Sequence, residues 1–394
     1  METYVSSGVM LIRSQNVHFD GLRLDDVVFI DEEIDEQMFS TRVQPADVLL
    51  NITGASIGRC TIFPSDAPSA NVNQHVCILR PDHHRVIPEF LNFTLQSPQV
   101  QCAIFAGENG SSREGLTFPQ IGNLEISLPT KDEQRAIAGF LDRETGRLDA
   151  LVAAKERWLE LLAEKRRALI THAVTRGLNP AAPLRDSAFP WLGQVPKHWR
   201  VERSKWLFKE RDKRIENDDG EMLTVSHITG VTKRSEKDVN MFEAETTEGY
   251  KICLKGDLAI NTLWAWMGAM GIAPCDGIVS PAYNVYTPGP EMDRGYVEAL
   301  VRMPTFVQEI TRYSTGVWSS RLRLYPEGFF EAWLPVPPLA EQRAIVAHIA
   351  TATAKLDGLR AAAERTIALL KERRAALIAA AVTGKLNLKT YANQ

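Results

Sequence analysis

Two long stretches of the chain carry apolar residues at helical spacing. In the first, Ile137, Leu141, Leu148, Val152, Leu159, Leu162 and Leu169 follow three-, four- and seven-residue steps, the first full-heptad jump falling across Glu144, and Glu, Lys and Arg fill the other faces. In the second, Ile345, Ile349, Leu356, Leu359, Ile367, Leu370 and Leu377 carry a related stripe. Thr130-Lys-Asp-Glu133 reads as a capping box and Gly177 as a C-terminal cap, while Pro337-Pro338 lead into the second stretch and Gly384 stands near its end. The pattern predicts two helices of roughly 40 residues, each about 60 Å long at 1.5 Å per residue. An amphipathic helix of that length cannot bury its stripe alone. Either each helix packs on its own globular core, or the two pair with each other; related stripes of equal length favour pairing as a coiled coil.

The two helices belong to an internal repeat. Glu133-Gln134-Arg135-Ala136-Ile137 recurs letter for letter as Glu341-Gln342-Arg343-Ala344-Ile345, an offset of 208. At the same offset, without a gap, Leu148-Asp149 maps to Leu356-Asp357, Ala173-Val174-Thr175 to Ala381-Val382-Thr383, and Ser111-Ser112-Arg113 to Ser319-Ser320-Arg321. Between the helices the chain is rich in Val, Ile, Thr and aromatics. In both copies a turn (Pro45-Ala-Asp47; Lys255-Gly-Asp257) precedes a strand-like run (Val48–Thr53; Leu258–Asn261) and then a bend at Gly58 or Gly268. The expected class is α+β, a tandem duplication ordered as a globular region 1–130, a helix 131–179, a second globular region 180–338 and a second helix 339–394.

Candidate chemistry is sparse. No GxxxxGK[ST], HExxH or GxSxG pattern occurs, and His83-His84 has no ligand partners at metal spacing. The five cysteines are scattered, never in CxxC spacing, and read as buried thiols of a reducing, cytoplasmic protein. The longest membrane candidate, Leu258 to Ala273, is too short and is interrupted by Asn261, Thr262 and glycines. Ser111, Ser112 and Arg113, and Ser319, Ser320, Arg321 and Arg323, set hydroxyls beside arginine after a glycine-containing stretch. Hydroxyls suit phosphate oxygens and an arginine fork suits guanine O6/N7, so these are candidate DNA contacts. Asn51, Thr53, Asn73, Gln74 and His75 join them in the first copy, and Trp264, Trp266 and Trp318 in the second. Charge runs against a DNA grip by this chain alone: the net charge is −4, with −9 on residues 1–130 and +5 on residues 339–394. Much of the phosphate contact is then expected from a partner.

The ordered set of motifs resembles the specificity subunit of type I restriction-modification systems. The matching pieces are Leu128-Pro129-Thr-Lys-Asp-Glu133-Gln134-Arg135 and Pro337-Pro338-Leu-Ala-Glu341-Gln342-Arg343, the helix ends at Ala173–Leu178 and Ala381–Leu386, and Gly193-Gln-Val-Pro196-Lys-His-Trp199. The resemblance implies two target recognition domains, each reading half of a bipartite sequence in double-stranded DNA. It implies a pseudo-twofold arrangement in which the helices form an antiparallel coiled coil that spaces the half-sites. Ile137, Leu141, Leu148, Leu162 and Leu169 would face Ile345, Ile349, Leu356, Leu370 and Leu377 and help dock methylation and restriction subunits. It implies no catalysis, metal or cofactor in this chain, with S-adenosylmethionine on the methylation subunit. The alternatives are a non-enzymatic coiled-coil scaffold, a truncated specificity subunit with impaired DNA recognition, and an enzyme with an unrecognised site.

One departure from the pattern stands out. The second copy has a lead-in, roughly Asp186 to Ile215, before its first strand at Met222–Val225, whereas the first copy starts almost directly at Met10-Leu11-Ile12. That lead-in offers Trp199, Trp206, Leu207 and Phe208 for a small core and eight basic side chains between Lys197 and Arg214. The first recognition domain is therefore expected to be N-terminally incomplete.

Overall fold

A computed structural model describes residues 4–106, 115–216, 220–236, 247–316 and 322–386. The chain divides into two compact units: residues 1–157 with 363–394, and residues 158–362. Each unit takes one globular region and a part of each long helix. The helices run Lys131–Arg176 and Leu339–Val382, 46 and 44 residues, somewhat longer than the periodicity alone suggested.

In the first unit, Val48–Asn51 is the middle strand of an antiparallel sheet with Cys60–Ile62 and Val76–Leu79 on its flanks. All four of its residues are buried. Alternation sends Val48 and Leu50 into one core, with Leu95, Val100 and Ile104, and Leu49 into another, with Met10, Ile12 and Val72. Val9–Ile12 pairs antiparallel with Val28–Ile30 and parallel with Ala70–Val72. The anticipated turn at Asp47 is an Asp-closed loop: the buried carboxylate accepts from Gln44 N at 2.7 Å and holds Arg80 at 2.7 Å. Helices Pro88–Gln96 and Pro98–Ala106 each start on a proline. The first presents Phe90 and Phe93 to Ile137, Leu141, Ile378 and Ala381.

The second unit repeats these devices with different residues. Leu258–Asn261 is buried between Met270–Ile272 and Tyr283–Pro288, and Asp257 accepts from Leu254 N at 2.9 Å while pairing with Arg211 at 2.7 Å. The candidate membrane stretch is therefore two short strands and a turn. The lead-in is ordered: Gln194–Pro196 pairs with Leu184–Asp186, and Arg200–Arg203 pairs antiparallel with Trp333–Val336. Trp199, Leu207 and Phe208 are buried as anticipated, but Trp206 is 72% exposed, lying under Lys205 Nζ at 5.1 Å instead of in the core.

The caps stand where the sequence placed them. Thr130 N donates to Glu133 Oε2 at 2.9 Å, and Gly177 and Gly384 sit at φ +73° and +71°. Ile137, Leu141, Leu148, Leu162, Ile345 and Leu356 are buried, and Leu169, Ile349, Leu370 and Leu377 are half-buried. Leu359 departs from the expected stripe: it is 45% exposed, and Ala363 is buried, one heptad after Leu356. The seven-residue jump between Leu141 and Leu148 is filled by buried Thr145, whose hydroxyl donates to Leu141 O at 2.6 Å; its repeat mate Thr353 is buried too. Within the first unit Asp149 pairs with Arg374 at 3.0 Å and Glu156 with Lys371 at 3.2 Å. Within the second, Arg166 pairs with Asp357.

Of the cysteines, Cys60, Cys77 and Cys253 are buried, and burial pushes the Cys77 thiol up to about 11 and the Cys253 thiol up to about 12. Cys102 corrects the expectation of five buried thiols, because it lies on an exposed helix face. Among the described residues no helix is long and apolar enough to cross a membrane, and no cluster of three His, Cys, Asp or Glu could hold a metal.

Candidate nucleic-acid interface

The polar candidates of the first unit gather where the central strand ends. The Thr53 hydroxyl meets His75 Nδ1 at 2.7 Å, Asn73 Oδ1 accepts from His75 N at 3.1 Å, and exposed Gln74 lies 3.3 Å from His75 Nε2. Asn51 does not join them: it is buried, and its amide donates to Ser14 O at 2.7 Å and to Ser56 Oγ at 3.1 Å. Ser111, Ser112 and Arg113 lie outside the described residues, but the chain leaving them is fixed. Gly115 bridges to Thr53, and Leu116 N donates to Ile52 O at 2.8 Å with its side chain buried.

The second unit repeats this anchor. Leu324, the repeat mate of Leu116, is buried and donates its N–H to Thr262 O at 3.0 Å. Ile52 and Thr262 each follow the last residue of the central strand. Thr315 and Arg323 exchange two backbone hydrogen bonds of 2.9 Å. Arg323 is exposed; Ser319, Ser320, Arg321 and Trp318 lie outside the described residues. Trp264 is half exposed beside the strand end, whereas Trp266 is partly buried and donates its indole N–H to Leu263 O at 3.0 Å. In both units, then, the segment following each Ser-Ser-Arg is returned by one buried leucine to the polar end of the central strand. The donors and acceptors assembled there suit phosphate oxygens and base edges.

Sequence reasoning missed a second pair of positioning residues, the glutamines of the repeated Glu-Gln-Arg. Gln134 accepts from Ile87 N at 2.9 Å and donates to Arg85 O at 3.0 Å and Pro129 O at 2.9 Å. Gln342 accepts from Asp293 N at 2.8 Å and donates to Glu291 O and Pro337 O, each at 2.8 Å. Both side chains are buried. Each locks the start of a long helix to the globular part of its own unit. The signal was available in the letter-for-letter repeat, since a polar residue kept at a helix start is a candidate for bonding backbone.

The described residues form an α+β fold in which the polar end of a central strand in each unit is met by a buried leucine. Residues 36–159 match the family model described as "Type I restriction modification DNA specificity domain". The chain is 26% identical over 198 residues to the type I restriction enzyme EcoBI specificity subunit of Escherichia coli, covering 50% of this chain and 38% of that protein. It is 30% identical over 95 residues to the EcoKI specificity subunit of Escherichia coli strain K12, covering 24% and 20%. The chain thus matches well under two thirds of the length of these two relatives. Among solved structures, a chain from a study of complex assembly and conformational transition of a type I restriction-modification system superposes with a TM-score of 0.67 at 17% identity, over 97% of this chain and 93% of that one. The HsdS subunit of Thermoanaerobacter tengcongensis superposes with a TM-score of 0.53 at 17% identity, over 97% and 92%. The structural likeness is one of fold. By the sequence matches, the chain resembles the specificity subunit of type I restriction-modification systems, and its residues 36–159 are similar to their DNA specificity domain.

Proposed function

We propose that this protein is the sequence-reading subunit of a cytoplasmic type I restriction-modification complex. It binds a bipartite site in double-stranded DNA, one half per globular region, and docks the methylation and restriction subunits. The observation that carries this reading is the recurrence of the leucine anchor, Leu116 to Ile52 and Leu324 to Thr262, beside a Ser-Ser-Arg segment in both units. A Ser-Ser-Arg sequence seen once is incidental; its recurrence ahead of a leucine that returns to the same strand end twice, in globular regions that have otherwise diverged, supports a reading head used twice. The long helices act as an antiparallel coiled coil that sets the spacing between half-sites. Support comes from the ion pairs: partner numbers fall along one helix as they rise along the other, Asp149 with Arg374 and Glu156 with Lys371. Catalysis, with S-adenosylmethionine, resides on the partner methylation subunit, and phosphate grip comes largely from partners.

The test is the methylome of a host with and without this gene, together with Arg321→Ala. A bidentate arginine–guanine contact is worth about 1–3 kcal/mol of discrimination. The variant should relax one half of the methylated motif only. A motif changed in both halves, or in neither, refutes the assignment.

A further inference from the structure

The hairpin that leaves the first central strand is bulged where it returns. Asn51 N donates to Arg59 O at 2.8 Å and Gly58 N donates to Asn51 O at 2.9 Å, so two residues face one. Gly58 takes the left-handed φ of +83° that this bulge needs. A Cβ there would lie 2.6 Å from Gln101, whose amide donates to Gly58 O at 2.9 Å. The bulge is thereby fixed, and it sets Arg59 across from the last residue of the strand. The second unit bends the same way at Gly268, with Asn261 N donating to Ala269 O at 3.0 Å. There buried Ala269 takes the place of Arg59, and Trp266, bonded to Leu263 O, the place of Ser56.

Arg59 differs from the arginines around it. Residues 4–106 contain six arginines and no lysine. Arg13, Arg23, Arg42 and Arg80 each hold an aspartate: Asp26, Asp20, Asp35 and Asp47. Arg85 is exposed, and its backbone carbonyl meets Gln134 at the start of the long helix. Arg59 is half-buried and has neither an ion pair nor a side-chain hydrogen bond among the described residues. A guanidinium partly withdrawn from water with its five N–H donors unused is stabilised by an incoming anion.

Asn51 supplies a second donor. Fully buried, it donates Nδ2 to Ser56 Oγ at 3.1 Å, so the half-buried Ser56 hydroxyl keeps its own hydrogen for another acceptor. Ser56 and Arg59 are held together as well, since Arg59 N donates to Ser56 O at 3.1 Å. We propose that Arg59, with the Ser56 hydroxyl, grips one backbone phosphate of duplex DNA at the end of the first central strand, and that Asn51 is the positioning residue behind both. The inference rests on the DNA reading above and adds a contact that carries affinity and register but no sequence information. It is confined to the first unit, because Ala269 and Trp266 leave neither donor in the second.

Salt dependence tests it on the full chain, with a mixed-sequence DNA duplex as the probe and fluorescence anisotropy as the readout. Arg59→Gln and Arg59→Met, one keeping polarity and the other the apolar stem, should each flatten the slope of log affinity against log salt by about 0.9, the counterion release of one phosphate contact. Arg59→Lys, which keeps the charge, should hold the parental slope. Far-ultraviolet circular dichroism is the folding control. In a host carrying the partner subunits, the methylated motif should be the same for Arg59→Gln as for the parent. A parental slope in the folded Gln or Met variant, or an equal loss in Arg59→Lys, overturns the proposal and leaves the DNA reading in place. A motif relaxed in one half overturns it too, because Arg59 would then read a base. An unaltered chain that binds no duplex, alone or with the methylation subunits, refutes the DNA reading and this contact with it.

Discussion

Replacing Gln342 by alanine isolates what the repeated glutamine does. The side chain is buried and satisfies three backbone groups, the Asp293 N–H and the Glu291 and Pro337 carbonyls, each at 2.8 Å. Alanine removes all three partners at once. A stranded buried polar group costs about 1–3 kcal/mol, and water entering the vacated volume recovers part of this, so about 3–5 kcal/mol is expected. At a urea dependence of about 2 kcal/mol per molar, the midpoint should fall by at least 1.5 M or so. The assay is built into the sequence: all eight tryptophans lie between Trp158 and Trp333, so intrinsic emission reports the second unit alone. Gln342→Ala should move the emission transition. Gln134→Ala, which strands Ile87 N–H and two carbonyls in the first unit, should leave emission in place and shift far-ultraviolet circular dichroism instead. Gln342→Glu keeps one acceptor but turns a charged oxygen on two carbonyls, and should be no better than alanine. An emission midpoint for Gln342→Ala within about 0.5 kcal/mol of the parent, the range of ordinary surface changes, refutes the reasoning.

The two helix-capping glycines should respond unequally. Both are left-handed, which costs an alanine about 1–2 kcal/mol, but only Gly177→Ala also drives a Cβ toward Glu341 and Trp199, so it should exceed Gly384→Ala in a urea titration. Ala46 holds φ +69° where its turn mate Gly256 holds +88°; Ala46→Gly should stabilise the first unit by up to about 1 kcal/mol, and a destabilised variant would show that the turn carries no strain. Leu148→Ala and Leu356→Ala should each cost about 2–5 kcal/mol. The double aspartate variant should lose co-purification with methylation subunits, and retained assembly would count against the helical seam as a docking element.

The parts of the fold legible in the sequence were those set by local chemistry. The Thr130–Glu133 box, Gly177, the Asp47 and Asp257 turns and the bends at Gly58 and Gly268 each need only a few neighbouring residues, and each stands as read. Three features were not legible. Thr145 completes the helical stripe because its hydroxyl returns to its own helix backbone, which lets a polar letter occupy an apolar position. Leu359 stays exposed because small Ala363 takes the buried heptad position. Asn51 looked like a contact residue, yet it is buried and its Nδ2 donates to Ser14 O, 37 positions away. Such long-range partners leave no periodic trace. The Ser-Ser-Arg segments were found through the repeat, while their leucine anchors emerge only from backbone pairing.

The discontinuity of the first unit has a consequence for the order of folding. Its two pieces are joined through the whole of the second unit, and Asp149 must find Arg374 across 225 positions. The second unit is one uninterrupted stretch, and once folded it holds Arg166 beside Asp357. That contact acts as a clasp on the tethers of the first unit, cutting the effective loop to about 34 positions and its closure cost by about 1.7 kcal/mol. The middle of the polypeptide thus serves as a template for joining its ends, so a lesion confined to residues 158–362 should slow maturation of a unit in which it has no residue.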